Sequence, residues 1–213
     1  MLNVILARLQ QKHRTIKYPD APPPAMPERF RGRPCVESAK CNLCKKCVHN
    51  CPTEAIEVNE SVVIDLGKCL FCTDCADTCP EHAITISSDY RLSFSNRENL
   101  TVTSDQKELL LATALQGSIR KLFGRSLKLR QVSAGGCNSC EADVNVLNTV
   151  GWDLGRFGIQ FVASPRHADG ILVTGPVSKN MQLALQKTYQ AIPDPKIVIA
   201  VGTCAISGGI FAG

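Results

Sequence analysis

Cysteine is the residue type that could do chemistry in this sequence, because twelve cysteines occur in 213 residues. Nine fall between Cys35 and Cys79, and the other three, Cys137, Cys140 and Cys204, lie far downstream. Thiolates bind metals, and cysteines grouped in this way favour metal sites over a disulfide framework. The spacing within each group therefore decides which metal chemistry is expected.

The first cysteine group contains an internal repeat. The segment CNLCKKCVHNCPTEAIEV at 41–58 aligns with CLFCTDCADTCPEHAITI at 69–86, with an offset of 28 residues at every cysteine. In such a repeat, a C-x₂-C-x₂-C run wraps three ligands around one 4Fe–4S cluster, and the cysteine before proline reaches the other cluster. The two predicted ligand sets are Cys41, Cys44, Cys47 and Cys79 for one cluster, and Cys69, Cys72, Cys75 and Cys51 for the other.

Structural zinc is the alternative for these cysteines. Zinc prefers tetrahedral sets built from paired C-x₂₋₄-C knuckles, and a duplicated triple followed by C-x₃-C-P fits that arrangement poorly. Cys35 lies outside the repeat and is expected to be an ordinary thiol. His49 lies between two ligands, and we favour an exposed polar residue there over one that tunes the cluster potential.

The three downstream cysteines fall at turns of a predicted α/β unit. The runs LKLRQVS, IQFVA, GILVTGPV and KIVIAVG predict short strands, and residues near 139–150 and 178–191 predict helices. This alternation predicts a parallel sheet. Cys137 and Cys140 lie at a strand-to-helix turn, and Cys204 follows the last strand. Because ligands gather at the carboxyl ends of parallel strands, one metal centre could collect all three thiolates.

Four segments follow from these patterns. They are an amphipathic helix with an extended proline-rich arm at 1–34, a two-cluster ferredoxin domain at 35–88, a connector with a helix at 89–124, and the sheet domain at 125–213. The connector helix is outlined by the apolar residues Leu111, Leu115, Ile119 and Leu122. The fold class is therefore an α+β ferredoxin domain followed by an α/β domain.

The N-terminal segment is predicted to contact other molecules. An apolar helix face docks on a partner subunit or lies in a membrane interface, and we favour docking. The residues that share this face are Leu2, Ile5, Leu6 and Leu9. Residues 18–34 are too rich in proline for regular structure, and such an arm usually lies along another protein.

Composition limits the remaining function classes. The net charge is +5, but the basic residues are not interleaved with aromatics, and no nucleic-acid-binding motif is present. No stretch approaches the roughly 20 apolar residues that span a bilayer, and the first residues lack a cleavage pattern. We therefore expect a soluble or peripheral protein in a reducing cytoplasm.

The chain resembles two known families in these same motifs. The cysteine repeat, with its Cys-Pro steps, resembles bacterial two-cluster ferredoxins, and the arm before it resembles the ferredoxin-like subunits of complex I and of membrane-bound NiFe hydrogenases. The motifs GGCNSCEADV, SPRHADGILVTGPV and AVGTCAISGGIF resemble the small electron-transfer subunit of energy-converting NiFe hydrogenases, including formate hydrogenlyase. This second resemblance covers roughly 105–213. The related complex I 20 kDa subunit carries adjacent cysteines where this chain has C-N-S-C, which favours the hydrogenase family.

The resemblance implies a third 4Fe–4S cluster in a flavodoxin-like domain. In that family, the cysteines matching Cys137, Cys140 and Cys204 hold one cluster, and a fourth ligand follows in a later Gly-Cys-Pro-Pro stretch. This sequence ends at Gly213 before such a stretch. The alternatives are a fragment of a longer chain, an incomplete and empty site, or a fourth ligand from elsewhere. Truncation of the domain is the expected explanation.

The resemblance also suggests roles for residues beside the cysteines. Glu141 matches an acid that could relay protons, although an acid stabilised by a helix amino terminus is an equal alternative. Arg166, His167 and Asp169 match the family's PRHAD stretch and are weak candidates, because that loop could simply close the sheet.

The implied function is electron transfer in a membrane-bound NiFe hydrogenase complex. Electrons would pass between a donor subunit, the ferredoxin clusters, the third cluster and a catalytic large subunit, so the chain would not turn over hydrogen alone. Membrane-arm subunits would hold it on the inner face of the cell membrane. The first alternative is the corresponding subunit of a complex I-like quinone oxidoreductase. The second is a non-catalytic ferredoxin-type carrier with a docking domain.

Overall fold

The N-terminal part of the computed structural model holds one helix, two short antiparallel sheets and two helical turns. The model describes residues 2–12, 14–103 and 126–212. The helices and strands of this part are α1 (Leu2–Gln11), β1 (Pro34–Val36), α2 (Lys46–His49), β2 (Ile56–Val58), β3 (Val62–Asp65), α3 (Asp74–Asp77), β4 (Ile84–Ile86) and β5 (Thr101–Thr103), with 3₁₀ turns at Ser38–Lys40 and Arg97–Asn99. Helix α1 forms as predicted, and none of its residues is buried.

The cysteine repeat folds as two matching halves. Helices α2 and α3 and the strands that follow them occupy equivalent positions in the two copies. Strand β1 pairs antiparallel with β4, while β2, β3 and β5 form a second antiparallel sheet. The buried apolar residues of this unit lie between the two sheets and the cysteine loops, with Val62 and Ile64 of β3 each 1% exposed.

Residues beyond the predicted boundary at residue 88 pair with a strand of the first domain. Strand β5 pairs with β3 in the register Val63↔Thr103, and the amide of Leu66 donates to the carbonyl of Leu100 at 2.8 Å. Val102 is 2% exposed in the same core. The segment 89–103, interpreted as a connector, therefore completes the first domain. The predicted helix from Leu111 to Leu122 lies outside the described residues.

The second part of the chain is a four-stranded parallel sheet with helices. Its elements are β6 (Leu127–Ser133), α4 (Ser139–Val146), β7 (Ile159–Phe161), β8 (Gly170–Thr174), α5 (Lys179–Ala191), β9 (Ile197–Val201) and α6 (Thr203–Ser207), with 3₁₀ turns at Leu154–Phe157, Pro165–His167 and Gly209–Phe211. The strand order is β7-β6-β8-β9, and every pair is parallel. Strand β8 is buried along its whole length, as expected of an internal strand covered on both faces. The predicted α/β alternation is therefore present.

The chain that leads from α1 into the proline-rich arm lies along both domains. The amide of Ile16 donates to the carbonyl of Gly151 at 2.7 Å, and the Arg156 guanidinium donates to the carbonyls of Ile16 and Tyr18. The Tyr18 ring packs edge-on against Tyr90 of the first domain, with the two hydroxyls 3.2 Å apart. Residues 16–18 thus contact both domains, and the contact of the arm with another protein stays a prediction.

Candidate metal centres

Two cavities within the cysteine repeat gather eight thiols in two sets of four. The first cavity is lined by Cys41, Cys44, Cys47 and Cys79. The second cavity is lined by Cys51, Cys69, Cys72 and Cys75. The structure thus brings together the same two sets that the spacing predicts. Cys35 is outside both sets, and its thiol lies 3.8 Å from the carbonyl of Arg33.

The loops around these cavities share an unusual backbone conformation. Left-handed φ angles occur in three pairs that the 28-residue offset relates, namely Leu43 with Phe71, Lys45 with Thr73, and Glu54 with His82. Non-glycine residues rarely adopt such angles, and they do so mainly where the surrounding structure requires them. The matched pairs indicate that both loops wrap a similar object.

Backbone amides point at several of the thiols. Ala55 and Ala83, which the repeat relates, each donate an N–H to the sulfur four residues earlier, at Cys51 and Cys79, at 3.3 Å. The amide of Phe71 donates to the sulfur of Cys69 at the same distance. Such bonds stabilise sulfur-centred negative charge and raise the reduction potential of a bound iron–sulfur centre.

Burial makes several of these thiols weak acids in the metal-free chain. Desolvation raises the pKa of Cys75 to about 12, and the negative charge of Cys69 and Cys72 adds to the effect. Desolvation likewise raises the pKa of Cys47 and of Cys69. Because metal ligation requires thiolates, loading of these cavities must release protons.

The thiols surround the cavities and do not converge on a point. Among the residues that the structure describes, no group of three or more His, Cys, Asp or Glu side chains is placed to hold a single metal ion. A zinc ion would need its sulfur ligands about 2.3 Å from one centre. Four thiols that surround a cavity without meeting at one point fit a cluster of several irons, with one thiolate for each iron.

The third cysteine group lies at the carboxyl edge of the parallel sheet. Cys137 is exposed after β6, Cys140 is half-buried in α4, and Cys204 is half-buried in α6 after β9. Gly202 allows the segments that carry Cys140 and Cys204 to approach each other. A Cβ added at Gly202 would lie 2.4 Å from the Cys140 sulfur, and the φ of Gly202 is +85°. A Cβ at Gly209 would lie 3.1 Å from the Cys204 sulfur. The structure thus places all three cysteines on the predicted edge.

The thiols of this group differ in acidity. Hydrogen bonds with the side chain and the backbone of Ser139 lower the pKa of Cys137. Desolvation raises the pKa of Cys140, and the nearby charges of Glu141, Cys137 and Cys204 raise it further. Because the charges of Cys137 and Cys204 both act on Cys140, a cation such as iron would stabilise the Cys140 thiolate.

Two glycines set the spacing of the strands below this group. A Cβ at Gly175, whose φ is +83°, would lie 2.5 Å from the amide nitrogen of Gly136. The loops after β6 and β8 therefore touch through their backbones. This close approach positions the Cys137 turn directly over the centre of the sheet.

Glu141 is a buried anchor beneath the third cysteine group. It is 6% exposed, and its Oε1 accepts hydrogen bonds from Ser133 at 2.5 Å and from Thr174 at 2.6 Å. These two bonds lower the pKa of Glu141, so the carboxylate is ionised at neutral pH. Its contribution to stability is present above the unfolded pKa of about 4.3 and is lost as the pH falls through the lower folded value. Glu141 joins α4 to the ends of β6 and β8.

Substitutions at Glu141 separate this anchoring role from a proton relay. Glu141→Ala leaves the buried Thr174 hydroxyl with only its longer contact to the Val132 carbonyl, at 3.5 Å, and we expect it to lower the free energy of unfolding by about 1–3 kcal/mol. Glu141→Gln retains the Oε1 acceptor and should cost less than about 1 kcal/mol. Chemical unfolding followed by the fluorescence of Trp152, the single tryptophan, measures both values.

Asp143→Ala, at an exposed acid of the same helix, is the control for loss of a charge in α4. Equal destabilisation by Glu141→Gln and Glu141→Ala would contradict the anchoring role through Oε1. Loss of turnover in an assembled complex that carries a stable, iron-loaded Glu141→Gln chain would instead identify a proton relay.

The PRHAD residues lie at the opposite edge of the sheet from the cysteines. Arg166 and His167 are exposed in the 3₁₀ turn before β8. The Asp169 carboxylate accepts a hydrogen bond from the amide of Lys128 at 2.7 Å and so fixes the start of β8 beside β6. Their place before β8 supports a role in closing the sheet.

Sequence reasoning missed residues that act through the fold. Gly202, Ser133 and Thr174 touch the third cysteine group or its anchor. The glycine-rich stretch around Cys204 was a visible signal for Gly202. Ser133 ends the predicted strand LKLRQVS and Thr174 lies within the predicted strand GILVTGPV, so only Ser133 was marked as a residue of the carboxyl edge.

Both domains match known families. Residues 40–83 match the 4Fe-4S dicluster domain, and residues 137–213 match the family described as NADH ubiquinone oxidoreductase, 20 Kd subunit. The chain thus joins a region of the 4Fe-4S dicluster type to a region of the 20 kDa subunit type. These matches confirm the two resemblances on which the sequence interpretation depends.

The curated relatives are subunits of oxidoreductase complexes. The chain is 40% identical to the "Probable membrane-bound hydrogenase subunit mbhJ" of Pyrococcus furiosus over 53% of this chain and 65% of the relative. It is 43% identical to formate hydrogenlyase subunit 7 of Escherichia coli over 46% of this chain and 38% of the relative. It is 54% identical to a NADH-quinone oxidoreductase subunit of Geobacter metallireducens over 28% of this chain and 35% of the relative. The chain thus spans between about a third and two thirds of the length of these relatives.

A solved structure adds a weaker likeness. The membrane-bound sulfane sulfur reductase, described as an archaeal respiratory membrane complex, contains a chain 33% identical to this one over 45% of its length and 55% of that chain. The TM-score is 0.37, which is too low to define a shared fold. Among the described helices, none combines the length and apolar character needed to cross a membrane.

Proposed function

We propose that this chain is the iron–sulfur electron-transfer subunit of a membrane-bound NiFe hydrogenase complex. The observation that carries the proposal is the placement of Cys137, Cys140 and Cys204 on one edge of a parallel sheet, in a chain that also carries a ferredoxin domain. An isolated carrier has no need of this third group. A subunit that delivers electrons to a separate catalytic centre does.

The spacing and the relatives favour the hydrogenase class. The C-N-S-C turn at Cys137 matches the hydrogenase pattern described above, whereas the complex I pattern has adjacent cysteines. The matches to the two hydrogenase-type relatives cover 53% and 46% of the chain, against 28% for the Geobacter metallireducens protein. The strand order β7-β6-β8-β9 is also that of the first four strands of a flavodoxin-like sheet.

In this proposal, three sites hold 4Fe–4S clusters. The first and second cavities would each hold one, and Cys137, Cys140 and Cys204 would supply three ligands to a third, with a fourth ligand still to be identified. A bound cluster supplies one-electron redox chemistry at a potential that charge, hydrogen bonds and exposure set. The chain's own residues exclude water, orient the thiolates and direct amides at their sulfurs.

The partners in this proposal are a catalytic large subunit, an electron-donor subunit and membrane-arm subunits. The exposed apolar side chains of α1, which include Leu2 at 71% and Leu9 at 69% exposure, suit a protein contact. We propose a cytoplasmic subunit that such contacts hold on the inner face of the cell membrane.

A complex I-like quinone oxidoreductase is the second candidate. Its support is the family match at 137–213 and the 54% identity to the NADH-quinone oxidoreductase protein of Geobacter metallireducens. The two candidates share the electron-transfer chemistry of this chain and differ in the catalytic partner. The metal content of the assembled complex therefore separates them.

Purification of the native complex through a tag on this chain tests the proposal. We expect nickel in the complex. The full-length chain is also purified alone, so that iron in partner subunits is not counted, and it should hold about twelve irons. A complex without nickel that reduces quinones would overturn the hydrogenase assignment. About eight irons in the full-length chain would remove the third cluster.

A further inference from the structure

One hydrogen bond joins the second cavity to the third cysteine group. The hydroxyl of Thr203 donates to the backbone carbonyl of Cys69 at 2.7 Å, across 134 residues of sequence. Cys69 lines the second cavity, and Thr203 directly precedes Cys204. Both bonded groups are partly buried, which limits competition from water.

Each end of this bond is held by its own domain. On the ferredoxin side, the Cys69 amide donates to the carbonyl of Asp65 at 3.0 Å, and the Cys69 sulfur accepts the Phe71 amide at 3.3 Å. On the other side, Thr203 begins α6, and its carbonyl accepts the hydroxyl of Ser207 at 3.1 Å. The bond therefore connects two fixed loops, so its length sets the separation of the domains at this point.

We propose that Thr203 is a positioning residue that holds the second cavity against the third cysteine group. The inference rests on the proposed function, because it gives the contact its purpose: cofactors in the two sites must stay close for electrons to move between them. Thr203 lies beside Cys204 in the chain and contacts the residue that carries a ligand of the other site. Loss of its hydroxyl frees the two loops to separate without removing a ligand.

Three variants of the full-length, iron-loaded chain test this role. Thr203→Val keeps the side-chain shape and removes the donor, while Thr203→Ser keeps the donor. Thr188→Val is the matched control, because the Thr188 hydroxyl also donates to a backbone carbonyl, that of Ala184 at 2.8 Å, but within α5. Iron content is measured first for each variant and should equal that of the parent chain.

Electron paramagnetic resonance of the fully reduced protein gives the first readout. Magnetic interaction between neighbouring reduced clusters splits or broadens their signals. We expect Thr203→Ser and Thr188→Val to keep the interaction of the parent chain and Thr203→Val to lose part of it. A merely structural role for Thr203 in α6 would not remove it while iron content stays unchanged. Identical spectra for Thr203→Val and the parent chain would overturn the proposal.

Hydrogen exchange gives a second readout that does not depend on a third cluster. Removal of one net hydrogen bond should raise the amide exchange of the Cys69 and Thr203 loops about fivefold in Thr203→Val. Unchanged amide exchange in both loops would overturn the positioning role of Thr203. If the parent chain holds only about eight irons but the exchange still rises, the third cluster of the proposed function fails while the positioning contact stands.

Discussion

Replacement of Cys79 by alanine is expected to empty the first cavity and leave the second one loaded. Cys79 follows Cys69, Cys72 and Cys75 in the sequence, so nearness along the chain alone would assign Cys79 to the same cluster as these three. The structure instead places Cys79 in the wall of the cavity that Cys41 shares. We expect the loss of about four irons per chain, measured by iron analysis of the purified full-length protein.

Double variants identify which cluster is lost. If Cys79 and Cys44 serve the same cluster, Cys79→Ala combined with Cys44→Ala loses no more iron than either single variant. If Cys72 serves the other cluster, Cys79→Ala combined with Cys72→Ala loses about eight irons. The iron losses from two substitutions in one cluster site do not add, whereas the losses from substitutions in separate sites do.

Cys35→Ala is the matched control, because Cys35 is a half-buried cysteine of the same domain that lines neither cavity. Its iron content should equal that of the parent chain. The opposite pattern, in which Cys79→Ala and Cys72→Ala are non-additive, would show that each C-x₂-C-x₂-C run keeps its own fourth cysteine.

The ferredoxin domain was predictable because its site is encoded locally. Six of the eight thiols come from two short runs whose spacing must fit a cluster, and the remaining Cys51 and Cys79 are marked by the prolines that follow them. The pairing of β5 with β3 was not predictable in the same way. Residues 101–103 form a three-residue strand with no hydrophobic alternation long enough to stand out from the polar segment around it.

The contacts between the two domains cannot be predicted from the periodic pattern of apolar residues in the sequence. The arm is predicted to be irregular, but the composition of the N-terminal segment does not show that Ile16 bonds to Gly151 or that Arg156 donates to the Ile16 carbonyl. Thr203 likewise looks like an ordinary helix-starting residue in sequence. Its contact with Cys69 depends on how two separately folded units meet, which no short segment specifies.

Gly202→Ala is expected to abolish metal binding at the third cysteine group while the ferredoxin domain remains loaded. The added Cβ would lie 2.4 Å from the Cys140 sulfur, and the φ of +85° is strained for any side chain. Either the loop before Cys204 or the thiol of Cys140 must move, and each movement separates two proposed ligands. We expect iron to fall from about twelve to about eight per chain, with stability lowered by about 1–3 kcal/mol.

Gly155→Ala is the matched control in the same domain. A Cβ at Gly155 meets only the Asp153 carboxylate, at 3.8 Å, which is an ordinary contact. Iron content should therefore be unchanged, and Cys140→Ala should match Gly202→Ala in the iron that it loses. A Gly202→Ala chain that keeps all of its iron would show that Cys140 and Cys204 do not share a centre. Because the Cys140 thiol occupies the space that a Cβ at Gly202 would take, the absence of a side chain at Gly202 is as necessary to this site as the cysteines themselves.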